Sequence, residues 1–77
     1  MKKFIFTFPG NHPLKGHYQP IFASSGHIAR ERMFERYGDT WGFQYTEEKW
    51  IEWEKEAEKI GIIIESELSP VYCREVN

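Results

Sequence analysis

Residues 2–24 read KKFIFTFPGNHPLKGHYQPIFAS, and the parsing of this stretch decides the fold. In KKFIFTF, residues 2–8, Phe4, Phe6 and Phe8 alternate with Ile5 and Thr7, the period-two pattern of a β-strand. Both faces carry apolar side chains, which places the strand inside a sheet. HYQPIFAS, residues 17–24, reads as a second strand. Pro20 within it lacks a ladder donor and points to an edge strand or a bulge. Between them, PGNHPLKGHY (9–18) gathers two glycines, two prolines, two histidines and a lysine. Such a stretch is either a turn that uses Gly and Pro to reverse the chain, or a place where backbone N–H groups and cations approach an anion.

Outward from this pair, SSGHIARERMFERYG (24–38) reads as a helix, with Ser24 or Ser25 as N-cap and Gly38 as terminator. Ala29, Met33 and Tyr37 form its apolar stripe. WGFQYT (41–46) reads as a third strand, with Trp41, Phe43 and Tyr45 on one face and Gly42 and Gln44 on the other. TEEKWIEWEKEAEKIG (46–61) is the clearest helix. Thr46 caps it, Glu47 and Glu48 favour the positive end of its dipole, and Trp50, Trp53, Ala57 and Ile60 line one face. Ile51 falls off that stripe. IIIESEL (62–68) reads as a fourth strand, and the tail from Ser69 as irregular. The expectation is one α+β domain over residues 1–77. It has a four-stranded sheet, the order β-β-α-β-α-β along the chain, and two helices packed on one face. The opposite face would then expose some of Ile5, Ile21, Gln44 and Ile63, and would need a second subunit or a bound ligand to cover it.

Composition narrows the function. Seventy-seven residues form one small domain with a thin stability margin. A single cysteine, Cys73, excludes a disulfide framework and suits a reducing compartment. Six Phe, four Tyr and three Trp must therefore supply either the core or a partner surface. The net charge of −2 argues against general nucleic-acid binding. No apolar run approaches the ~20 residues that span a bilayer, and the short N-terminal apolar stretch does not read as a signal peptide. The glutamates concentrate between residues 47 and 67. The basic groups cluster at Lys2, Lys3, Lys15, Arg30, Arg32 and Arg36.

No catalytic set emerges, so the chain reads as a binding protein rather than an enzyme. Gly10, Asn11, His12, Lys15 and His17 are the loop's candidate ligand contacts. The spacing from Gly10 to Gly16 is not that of a P-loop. His12 and His17 without a third ligand do not make a metal site, and no cofactor is implied. Arg30 lies at the edge of the apolar helix stripe, where it either snorkels past the aromatics or offers its planar fork to a phosphate or carboxylate. Gln44, in a presumed inner strand, needs hydrogen-bond partners or reads the polar edge of a ligand. Tyr18, Trp41 and Tyr45 are the candidate stacking rings.

KKFIFTF, GHYQPIFA, ARERMFERYG and WGFQYTEEKW together resemble a set of small proteins encoded by phages and prophages of Gram-positive bacteria. The resemblance spans roughly residues 2–53. Its most specific elements are Ala29-Arg30, Tyr37-Gly38 and Phe43-Gln44-Tyr45 before the acidic helix start. It carries no catalytic residue with it. It implies a context: an accessory phage product acting in the bacterial cytoplasm, a class that includes proteins countering host defence. Two functional expectations follow. In the first, a homo-oligomer sequesters a small anionic, nucleotide-type signal at a pocket. In the second, the acidic helix 47–60 inhibits a host defence protein by direct contact.

Overall fold

In the computed structural model, which describes residues 1–61 and 66–73, the chain is an α+β domain with the element order read from the sequence. Strands β1 (Lys2–Thr7) and β2 (His17–Ala23) precede helix α1 (Gly26–Tyr37). Strand β3 (Gln44–Thr46), helix α2 (Glu47–Lys59) and strands β4 (Ser66–Glu67) and β5 (Val71–Tyr72) follow. The expected strand over 62–68 is described only at its end, as β4, because residues 62–65, Ile63 among them, lie outside the described residues. The tail is not wholly irregular: Val71–Tyr72 is a fifth strand.

The sheet order is β3-β1-β2-β4, with β5 also on β2. β1 pairs antiparallel with β2, setting Phe4 opposite Ile21, Ile5 opposite Pro20 and Phe6 opposite Gln19. It also pairs antiparallel with β3, setting Phe4 opposite Thr46, Ile5 opposite Tyr45 and Phe6 opposite Gln44. β4 and β5 lie parallel to β2, one beside His17 and Tyr18, the other beside Ile21 and Phe22.

Pro20 is neither on an edge nor in a bulge. It lies in an inner strand, opposite the interruption between β4 and β5. Tyr18 O and Phe22 O accept from Leu68 N–H and Cys73 N–H on that side (2.9 and 2.8 Å). By strand alternation the backbone groups of Pro20 point the same way. The missing proline donor therefore meets a gap in the neighbouring chain, and no ladder bond is lost. The Gln19 side chain fills the gap. Its Nε2 donates to Pro20 O (2.9 Å) and Ser69 O (2.8 Å), and its Oε1 accepts from the Tyr37 hydroxyl (2.7 Å). Gln19 is the buried polar side chain of the core, 1% exposed.

The two helices occupy opposite faces of the sheet, which corrects the expectation of one shared face. Phe4, Phe6, Ile21 and Ala23 form one core with Ala29 and Met33 of α1 and with Cys73. Side chains alternate along a strand, so Ile5, Tyr18, Pro20 and Tyr45 point to the other face. There Trp50 of α2 packs against Tyr18 (4.8 Å between ring centroids) and Tyr45 (5.5 Å). Ile5 and Ala57 are fully buried. The anticipated oily rear face is thus covered by the chain's own tryptophan helix. Ile21 and Gln44, expected on that rear face, belong to the α1 side. The sequence could not assign faces because each helix carries one apolar stripe, whichever side it covers.

Helix ends follow local chemistry. Ser25, not Ser24, caps α1, its hydroxyl accepting from Ile28 N–H (3.3 Å). Gly38, at φ 64°, ends the helix with its N–H on Phe34 O. Thr46 caps α2 by accepting from Lys49 N–H (3.2 Å).

The Gln19 network should dominate the response of stability to single substitutions. Gln19→Leu removes three hydrogen bonds and strands the Tyr37 hydroxyl and two carbonyls. It is expected to cost about 2–4 kcal/mol in chemical denaturation, whereas Tyr37→Phe costs about 1 kcal/mol. Equal effects would show that the amide does not span the strand break.

Candidate functional site

The loop over residues 9–16 is built from turns. His12 N–H donates to Pro9 O, Lys15 N–H to His12 O and His17 N–H to Leu14 O, each at 3.0 Å. These are successive turns closed on themselves. Gly16, at φ 87°, lets the chain enter β2. His12 is a structural clasp. Its Nδ1 accepts from Leu14 N–H (2.9 Å), which makes Nε2 the protonated nitrogen facing the Thr40 hydroxyl (3.0 Å). The Thr40 hydroxyl donates to Tyr37 O (2.6 Å). The imidazole also lies against the Phe8 ring, 4.6 Å between centroids. Both ring nitrogens are thus engaged. Gly10, Asn11 and Lys15 remain exposed on the loop. The Nδ1 of His17 is buried with no partner among the described residues.

Arg30 and Gln44 come together. Arg30 Nε donates to Gln44 Oε1 (3.0 Å), and Gln44 Nε2 donates to Gly26 O (3.0 Å). The amide thus bridges β3 to the first turn of α1 and fixes one side of an exposed guanidinium. Gly26 makes the approach possible, since a Cβ there would stand 3.0 Å from Gln44 Nε2. The other arginines of α1 are committed. Arg32 pairs with Glu35 (3.4 Å), and its charged form is favoured first by a hydrogen bond to the Cys73 side chain. Arg36 lies over the Tyr37 ring. Arg30 has no carboxylate within ion-pair distance among the described residues.

Trp41 reaches the same side through a bulge. Thr7 N–H donates to Phe43 O (3.0 Å), while Thr7 O accepts from Gly42 N–H (2.7 Å). Two residues face one, which resets the alternation of the strand. Trp41 therefore does not share a face with Tyr45 as the simple pattern implied. It packs edge-on against Phe6 (5.1 Å) and Phe34 (5.4 Å) on the α1 side. Its ring serves packing, and its Nε1 is buried without a partner among the described residues.

The structure thus divides the candidate residues. Arg30, Gln44 and Trp41 line the flank of α1 that faces the β3 edge. Tyr18 and Tyr45 lie under α2 on the opposite face. The loop with His12 closes the far end of α1, seven residues and about 10 Å along the helix from Arg30. One residue was missed: Phe34, one turn beyond Arg30, is 48% exposed. The usable signal was the i,i+4 spacing of an arginine and an aromatic ring at the edge of the stripe. Among the described residues no group of three or more His, Cys, Asp or Glu converges as for a metal, and no helix is long and apolar enough to cross a membrane. Comparison with family models, curated proteins and solved structures finds no match.

Tyr18 gives a test of the α2 face. Burial pushes its phenol up, and the negative charges of Glu67 and Glu54 add to the shift. The folded chain therefore favours the neutral phenol. That contribution to stability is present below the ordinary value of 10.0 and is lost as pH rises through the raised one. Between about pH 9 and pH 11, wild-type protein should lose more stability than Tyr18→Phe in denaturant titrations. Identical declines would place Tyr18 in free solvent.

Proposed function

We propose that the protein is a non-catalytic binding module that captures a small anionic, nucleotide-type ligand at the flank between α1 and β3. One observation carries the reading. Arg30 is an exposed arginine held by a neutral amide, with no carboxylate among the described residues to neutralise it, beside a half-exposed phenyl ring. A guanidinium fixed at Nε keeps the other side of its fork for two phosphate oxygens. The Phe34 ring offers an apolar plane next to it for a base. Holding the cation in place beforehand lowers the ordering cost of capture. The accessory phage role and the cytoplasm of a bacterial host belong to this proposal as its setting.

The loop candidates Gly10, Asn11, His12, Lys15 and His17 have no part in this site, and Tyr18 and Tyr45 face away from it. Inhibition of a defence protein by the acidic helix is less well supported. Lys49 and Lys59 stand beside Glu52 and Glu56 at 3.6 and 3.8 Å and dilute the negative face.

Calorimetry with cyclic dinucleotides, cyclic mononucleotides and ADP-ribose-type nucleotides tests the proposal. At least one should bind, and Arg30→Ala should weaken it about tenfold or more, the loss of a charge-assisted bond worth about 1.5–3 kcal/mol. Gly26→Ala, which displaces the amide, should weaken it less. Absence of heat across the panel would overturn the assignment.

A further inference from the structure

The geometry points to a second copy of this chain pairing along β3, so that the flank described above becomes one wall of a shared trough. The inference rests on the proposed anion site and completes it. β3 is an edge strand. Phe43 turns its carbonyl towards Thr7, so by alternation Gln44 directs its backbone N–H and C=O away from the sheet. Edges are ordinarily blunted by charged side chains or covered by other chain. Here the neighbouring ring, Phe43, is instead 70% exposed and leans towards Tyr45 on the α2 side.

Helix positions say which partner fits. α2 lies over β1 and β3. If two β3 strands pair antiparallel about a two-fold axis, each helix keeps its face. Trp50 is seated between Tyr18 of β2 and Tyr45 of β3, so the axis of α2 runs over β1. At a strand spacing of about 4.8 Å the two α2 axes come to roughly 14 Å, a gap that the long side chains of the facing flanks bridge. The α2 flank bordering β3 carries Lys49, Glu52, Trp53 and Glu56. Read antiparallel about its midpoint, this flank is self-complementary. Lys49 of each copy meets Glu56 of the other, and Trp53 of each meets Glu52 of the other beside the axis. An isologous contact needs this kind of self-matching surface.

On the opposite face the outcome differs. α1 sits over β2 and the neighbouring β1 core, so the two α1 axes stand roughly 20 Å apart or more by the same spacing. They do not touch. They leave a trough walled on both sides by Arg30 and Phe34, with two Gln44 side chains between. A single chain offers an open shelf, whereas the pair encloses a ligand between two guanidinium groups. This matches a ligand with two anionic groups, such as a dinucleotide.

Sedimentation equilibrium of the full chain tests this. A dimer is expected at tens of micromolar. Phe43→Lys, at an exposed position, should weaken it about tenfold. Lys49→Glu should weaken it by a similar factor, and adding Glu56→Lys to it should restore the dimer to within about twofold, as two symmetric ion pairs are broken and reversed. Circular dichroism confirms that each variant keeps its helices. A chain that stays monomeric at about 200 micromolar would overturn the inference, as would a dimer indifferent to both single substitutions. A dimer with this charge response that binds no nucleotide leaves the pairing intact and rejects the proposed function. A monomer that binds nucleotide one to one does the reverse.

Discussion

The fold depends on a single buried amide. Gln19 sits in the inner strand β2, where an uncharged side chain with two donors and one acceptor oxygen can be fully satisfied. It meets the C-terminal turn of α1 through Tyr37, its own strand through Pro20 O, and the returning chain through Ser69 O. Three separate segments thus share one group. An apolar residue of similar size would fill the volume but leave the two carbonyls facing each other across a dry gap. Pro20 and Pro70 belong to the same solution. One removes a donor from the inner strand, and the other breaks the neighbouring strand at the matching level.

With this closure in place, two short helices suffice for two faces. α1 brings Ala29 and Met33 onto the phenylalanines of β1, with Ile28 and Tyr37 packed beside them. α2 brings Trp50 onto the tyrosines, and Ile5 is buried on the same face. A chain without disulfides thereby buries both faces of its sheet, and its unspent aromatic surface moves to an edge rather than a face.

The element order, both N-cap positions to within a residue, and Gly38 as terminator were legible in the sequence, because they rest on local chemistry and periodicity. Gln19 was not. Its partners lie 18 and 50 residues away, and a glutamine in a strand carries no mark of what it meets. The face of α2 was misread because an amphipathic stripe states that a helix packs and leaves open which side of the sheet it packs on. Trp41 was misplaced by one inserted residue, since a bulge at Gly42 inverts everything before it. In the candidate site, Arg30 and Gln44 were singled out separately, and only the fold joins them. The loop from Pro9 to Gly16 drew attention by composition alone, and its histidine proves to be holding the loop shut.

The two edges of the sheet differ in a way that bears on function. On the β4 and β5 edge the strands are two residues each and are interrupted by Ser69 and Pro70. Lys3 reaches Glu67 (3.7 Å). That edge is broken, charged and crossed by side chains, which are the ordinary devices against strand addition. The β3 edge is short and bulged too, but its strand residues Gln44, Tyr45 and Thr46 carry no charge. Its bulge turns Trp41 inward and leaves Phe43 outward, and its flanking arginine is held by an amide instead of a carboxylate. One edge of a small sheet is guarded by charge, and the other is left with an exposed ring, Phe43, and an exposed arginine beside it. A domain with a thin stability margin gains nothing in folding from such exposure. The free energy left unclaimed at β3 is available only to a molecule that docks there, so the candidate site lies on this edge.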